Sequence, residues 1–159
     1  MGVRRLPSVL GAPSPSAADA FDLRELWYAL LKKPWASLAV VPAHAGGKAD
    51  QLAQRLAEAG GLYSRRPLKF LRGDALDLGK AAQLAMQLSD PRPREPGPNT
   101  IVSLESLIAN PLGIGVVVAA DATLLVLERM RCDFDSARKT IEMIGREKIL
   151  GCALLDEAP

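Results

Sequence analysis

The six residues Ala36-Ser37-Leu38-Ala39-Val40-Val41 are apolar except at Ser37 and are closed on both sides by Pro34 and Pro42. A strand apolar at nearly every position, rather than at alternate ones, is buried on both faces, as happens when helices cover both sides of a parallel sheet. The small-residue turn Pro42-Ala43-His44-Ala45-Gly46-Gly47 follows. Lys48 to Ala59 then has helical spacing, with Leu52, Ala53 and Leu56 turned inward and Gly60 as the stop. A strand, a glycine turn and a helix in this order argue for α/β layering.

The rest of the chain repeats that alternation. Asp22-Leu23-Arg24-Glu25 has the spacing of a helix start, and Leu23, Leu26, Trp27, Leu30 and Leu31 form one apolar face that ends before Pro34. Leu68 to Arg72 reads as a strand, Leu76 to Leu88 as a helix, Thr100 to Leu104 and Ala122 to Leu127 as strands. Phe134 to Ile144 reads as a helix closed by Gly145, and Ile149 to Leu154 as a final strand. Between Asp90 and Pro98, four prolines and two arginines, Arg92 and Arg94, can build neither ladder nor helix, so this segment is expected as an exposed loop. The expected fold is α/β, a doubly wound, mostly parallel sheet of about five strands with flanking helices and right-handed crossovers.

Length and composition bound the rest. With 159 residues, 48% hydrophobic and 24% charged, the chain is read as one α/β domain over residues 19–159 behind a flexible tail at 1–18, where Pro7, Pro13 and Pro15 interrupt any signal-peptide-like run. Twenty Lys+Arg against eighteen Asp+Glu leave +2, too balanced for the field of a nucleic-acid binder, and 4% aromatics offer few stacking platforms. No nucleic-acid partner is expected. Cys132 and Cys152 are not paired as CxxC and have no accompanying histidine, so neither a metal site nor a disulfide is expected, and a reducing, cytoplasmic compartment is. The longest apolar run, Leu112 to Ala120, is far short of the roughly 18 to 20 residues of a membrane span.

Three stretches carry a family resemblance: Phe21 to Leu26; Leu38 through Lys48; and Ala120-Asp121-Ala122-Thr123-Leu124-Leu125-Val126-Leu127 with Ile144-Gly145-Arg146-Glu147-Lys148-Ile149-Leu150-Gly151. Over about residues 20–156 the order of pieces resembles the MinD/ParA group of P-loop ATPases, and within it the cytoplasmic domain of bacterial tyrosine autokinases of exopolysaccharide biosynthesis. The resemblance implies a P-loop NTPase-like fold, a nucleotide at the glycine turn, and association through the first helix. It places partner or self contacts on Leu23, Leu26, Trp27, Leu30 and Trp35, although packing between the tryptophans and the first helix explains Trp27 and Trp35 without a partner.

The departures from that pattern are chemical. A phosphate-cradling G-x-x-x-x-G-K-[ST] loop needs glycines whose N–H groups wrap the phosphates, a lysine for charge and a hydroxyl for magnesium. Gly47 and Lys48 match, but Pro42 stands at the first glycine position and Ala49 at the hydroxyl position. Thr100 to Ser106 offers no aspartate for a metal, Leu155 stands where the family commonly has an adenine-binding asparagine, and Tyr28 and Tyr63 form no acceptor cluster. The loop is thus a degenerate one, and no catalytic residue, no metal and no ATP or magnesium cofactor is expected.

Residual anion or nucleotide binding would fall on His44, Gly46, Gly47 and Lys48, beside a helix N-terminus. His44 itself reads as a solvated loop residue, since no serine, cysteine or carboxylate is placed by sequence to pair with it, and His44 or Asp50 is expected to hold the turn through local N–H groups. The leading functional expectation is a catalytically inactive accessory or regulatory subunit in exopolysaccharide or capsule export, reaching the inner face of the membrane only through a membrane-bound assembly or export partner. The alternative is a nucleotide-binding switch, weak ATPase or tyrosine kinase that uses Lys48 with Glu105 or Asp50. A third reading is a structural protein of the same fold without a polysaccharide role.

Overall fold

The computed structural model describes residues 2–6, 17–89 and 97–156, with side chains described from residue 23 onward in these segments. The elements in chain order are β1 (Gly2–Leu6), α1 (Ala17–Leu30), β2 (Ser37–Pro42), α2 (Asp50–Ser64), β3 (Lys69–Gly73), α3 (Leu78–Leu88), β4 (Thr100–Leu104), α4 (Gly113–Ala119), β5 (Ala122–Glu128), α5 (Phe134–Ile144) and β6 (Ile149–Leu155). The strands form one parallel sheet in the order β1-β6-β5-β2-β4-β3. The doubly wound α/β fold expected from the alternation is therefore the fold of the chain.

Every side chain of β2 and β4 is buried, as the unbroken apolar runs require. Leu38 and Val40 face one core with Leu26, Trp27, Leu52 and Leu56 of α1 and α2, while Ala39 and Val41 face the other with α3, α4 and α5. Each fully buried leucine or valine contributes about 1.5–3 kcal/mol relative to exposure, so both layers are held chiefly by these central strands.

Three sequence expectations need correction. Gly2–Leu6, read as part of a tail, pair with Gly151–Leu155 along the edge of β6. The prolines that suggested a tail begin only at Pro7, so residues 2–6 keep all their N–H groups and meet the open side of a strand. α1 likewise begins at Ala17, ahead of the expected start at Asp22. Residues 7–16, and the proline-rich segment through residue 96 with Arg92 and Arg94, lie outside the described residues.

Gly60 does not stop α2, which continues to Ser64 and ends where Arg65 turns left-handed with φ 58°. A Cβ at Gly60 would lie 2.5 Å from the Trp27 ring, so this glycine lets the helix approach a buried tryptophan. The third correction is α4, a helix the sequence reading missed. Its Gly-Ile-Gly-Val-Val-Val-Ala run is glycine-rich and β-branched, poor in helix propensity, and the helix is held by tertiary packing of Val116 and Val117.

Of the resembling stretch Ala120 to Leu127 with Ile144 to Gly151, Asp121 acts at the opposite end of the sheet from the glycine turn. Asp121 Oδ2 accepts the N–H groups of Ala36 at 2.8 Å and Ser37 at 3.1 Å, and Ser37 Oγ accepts from Asp121 N at 3.0 Å. This reciprocal clamp sets β5 against the start of β2. Lys148, in the second half of that block, places Nζ on the carbonyls of Val118 at 2.7 Å and Ala120 at 2.6 Å, a cation at the C-terminus of α4.

Candidate functional site

Open α/β sheets place ligands beyond the carboxyl ends of their strands, where the chain leaves in opposite directions. Here β2 passes to α2 on one face, while its neighbours β4 and β5 pass to α4 and α5 on the other. The glycine turn after β2 stands at that divergence.

The turn is built from the strand outward. Ala43 N donates to Val126 O at 2.9 Å, which extends the β2–β5 ladder past Pro42. The hydroxyl of Thr140, fully buried on α5, lies 3.3 Å from Ala43 O and bonds Ser136 O at 2.8 Å. Gly46 takes φ +83°, a left-handed conformation that favours glycine, and Gly47 N closes the turn on His44 O at 3.1 Å. A Cβ on Gly47 would meet Pro42 Cβ at 2.8 Å and His44 Cε1 at 2.9 Å. The imidazole is therefore folded back against the turn.

His44 is not a solvated residue. It is 7% exposed, and its Nε2 lies 3.8 Å from Glu128 Oε2 at the end of β5. The other carboxylate oxygen of Glu128 accepts a long hydrogen bond, 3.4 Å, from Lys48 N, just ahead of α2. Arg131 Nη1 stands 3.7 Å from Glu128 Oε2 on its outer side. The carboxylate that sequence reasoning could not find for His44 thus arrives from a strand 84 positions later, and the only signal for it was a glutamate at the C-terminal end of a strand neighbouring the turn.

The expectation that His44 or Asp50 secures the local N–H groups is also corrected. His44 Nδ1 is buried without a hydrogen-bond partner, Asp50 pairs with Arg72 at 3.5 Å, and it is Glu128 that accepts from the turn. The structure brings His44, Gly46, Gly47 and Lys48 together with Glu128 and Arg131. It does not bring Glu105 to them as a ligand set: that carboxylate accepts the N–H of Ala75 and ties the loops after β3 and β4. Among the described residues, no group of three or more His, Cys, Asp or Glu side chains is placed to hold a metal ion.

Leu23, Leu26, Trp27, Leu30 and Trp35, expected as an interface, are all 6% exposed or less. Trp27 and Trp35 meet edge to face at 5.8 Å, and Trp35 Nε1 donates to Leu30 O at 2.9 Å. Among the described residues, the apolar face of α1 is taken up by the chain's own core except at Leu31, which is 39% exposed, and Trp35 is 4% exposed.

Cys132 follows the turn after β5 and borders the site. Burial first, then the charges of Asp133 and Glu128, push its thiol above the usual range, which disfavours a nucleophilic thiolate. Burial also raises Cys152, inside β6. Asp133 caps α5, and the N–H and hydroxyl of Ser136, both at 2.7 Å, hold its carboxyl below the ordinary aspartate range.

No helix among the described residues is long and apolar enough to cross a membrane. No protein-family model and no curated protein matches the sequence. Among solved structures, the crystal structure of the chimerical protein CapA2B2 is similar with a TM-score of 0.67, at 14% sequence identity, over 100% of this chain and 95% of that chain. At that identity the likeness is one of fold, and it agrees with the doubly wound parallel α/β architecture described above.

Proposed function

We propose that this chain is a catalytically inactive, P-loop-like protein that serves as an accessory or regulatory subunit in exopolysaccharide or capsule biosynthesis, held at the cytoplasmic face of a membrane by a membrane-bound assembly or export protein. The observation that carries the reading is the occupied interior of the glycine turn. Where a phosphate would enter, it meets the buried ring of His44 and the carboxylate of Glu128, and it finds neither a hydroxyl at Ala49 nor an N–H at Pro42. The chain's own anion stands at the N–H that a phosphate would need. Full-length likeness in fold to CapA2B2 supports placing this protein beside the autokinase domains that its sequence resembles.

Calorimetric titration with ATP and ADP, with and without magnesium, tests the first half. Silence at concentrations that detect millimolar affinity is the expected result, and magnesium-dependent heat that disappears in Lys48→Ala would overturn it. Capture of membrane proteins from cells that make the polysaccharide tests the second half, with an assembly or export component as the expected catch. A nucleotide switch is the competing reading, and one observation favours it: Lys48 is exposed at the rim of the turn, within reach of an incoming phosphate. That reading requires His44 to leave its seat.

A further inference from the structure

All the strands are parallel, so each connection from a helix into a strand reaches the same, amino edge of the sheet, and each connection out of a strand leaves from the carboxyl edge that carries the glycine turn. The two edges differ in charge. The amino-edge stretches 31–36, 65–69, 120–121 and 145–148 hold seven lysines and arginines against two acidic residues, whereas the carboxyl-edge stretches 42–50, 72–77, 105–112, 128–133 and residue 156 hold four against seven. Residues 90–96, which join α3 to β4, lie outside the described residues, and their sequence, with two arginines and two acids, leaves that balance unchanged.

The charges of the amino edge are not neutralised within the chain. Lys32, Lys33, Arg65, Lys69 and Arg146 are exposed, and among the described residues none of the five has a carboxylate partner; Lys69 bonds the neutral Gln87 Oε1 at 3.4 Å. The end of α1 does not account for Lys32 and Lys33, because Leu31 N, Lys32 N and Trp35 Nε1 already donate to the carbonyls of Trp27, Tyr28, Ala29 and Leu30. Of the two acids, Asp121 is engaged by two backbone N–H groups. On the carboxyl edge the arginines are paired instead: Arg72 with Asp50 at 3.5 Å, Arg129 with Asp156 at 3.4 Å and Arg131 with Glu128 at 3.7 Å.

We infer that the amino edge of the sheet rests directly on an anionic lipid bilayer, a contact beyond the proposed function, in which a protein partner alone holds the chain at the membrane. The free cations run from the entry of β6 to the entry of β3, across five adjacent strands and so over about 20 Å. A bilayer surface offers negative charge over such a span without matched positions, and it attracts each nearby lysine or arginine separately. Among these cations Leu31 is 39% exposed, and Pro34 and Pro67 are exposed. Lipid headgroups accept such side chains between the charges, whereas an acidic protein surface would need an apolar patch of its own to cover them. The acidic carboxyl edge is repelled by the same surface, so the sheet stands on end with the glycine turn facing away from the lipid.

Flotation of the full chain with vesicles of phosphatidylcholine, with and without phosphatidylserine, tests the inference. The wild-type protein is expected to float only with the phosphatidylserine vesicles, and to be released at about 1 M salt, where screening acts within about 3 Å. Each lysine near such a surface contributes about fivefold in partition, so Lys32→Ala/Lys33→Ala is expected to bind about 25-fold more weakly. Lys32→Arg/Lys33→Arg is expected to bind as the wild type does, and so is Lys139→Ala, which removes an exposed charge from α5 instead. Circular dichroism should be the same for all four proteins. Absence of wild-type flotation overturns the inference, as does equal flotation with neutral vesicles, no loss in Lys32→Ala/Lys33→Ala, or an equal loss in Lys139→Ala. Capture of a membrane protein that Lys32→Ala/Lys33→Ala abolishes, without flotation of the wild type, also overturns it and assigns the edge to an acidic protein. The vesicles contain no protein or nucleotide, so failure here is distinct from failure of the titration and capture experiments above.

Discussion

Replacing Glu128 by glutamine keeps the shape of the side chain over the glycine turn and removes its charge. Its Oε1 is 3.4 Å from Lys48 N, the N–H a bound phosphate would use, so an incoming phosphate oxygen would stand about 4 Å from the carboxylate. Two unit charges at that distance cost about 4 kcal/mol at the effective dielectric near a protein surface. Arg131, 3.7 Å away but 59% exposed, offsets part of this, leaving about 2 kcal/mol, or roughly thirtyfold in affinity. Calorimetry with inorganic phosphate and ADP on the wild type, Glu128→Gln and the double variant His44→Ala/Glu128→Gln reads the effect. The order expected is no detectable binding, weak binding, and stronger binding once the ring also leaves the turn. Equal affinity in all three proteins would refute the claim that the chain's own side chains close this site, as would tight binding by the wild type.

The two adjacent glycines of α2 should respond in opposite directions to alanine. Gly60→Ala drives a methyl to 2.5 Å from the buried Trp27 ring and is expected to cost about 1–2 kcal/mol after the propensity gain, whereas Gly61→Ala, whose nearest neighbour is at 3.4 Å, is expected to be neutral or stabilising by up to about 1 kcal/mol; urea unfolding followed by tryptophan fluorescence separates them. Asp121→Ala removes the acceptor for two backbone N–H groups and is expected to cost about 1–3 kcal/mol, with Asp121→Asn losing less, in the same assay. Because the folded state holds Asp133 below its ordinary range, its cap stabilises fully above the unfolded aspartate pKa and is lost as pH falls through the lower, folded value. Unfolding curves from neutral pH down to strongly acidic solution should therefore show a loss of stability that Asp133→Ala lacks in that window; identical slopes would remove Asp133 from the account.

What could be read along the chain was the material of the central layers. Unbroken apolar runs such as Leu38 to Val41 and Leu124 to Val126 require burial on both faces, and the 3.6-residue spacing of Leu52 and Leu56 requires a helix over them; these local regularities specify a doubly wound sheet before any contact is known. The missing hydroxyl at Ala49 and the proline at position 42 are likewise properties of the chain itself. Tertiary structure decided the rest, because it depends on residues far apart in sequence. Only folding brings Glu128 to His44, turns α1 from an expected interface into core, shows Gly60 as a seat for Trp27 rather than a helix stop, and converts a glycine- and valine-rich run into α4 by burying Val116 and Val117. A periodic pattern records how a segment is buried, but not against which distant partner, and the closing of the glycine turn is a matter of that partner.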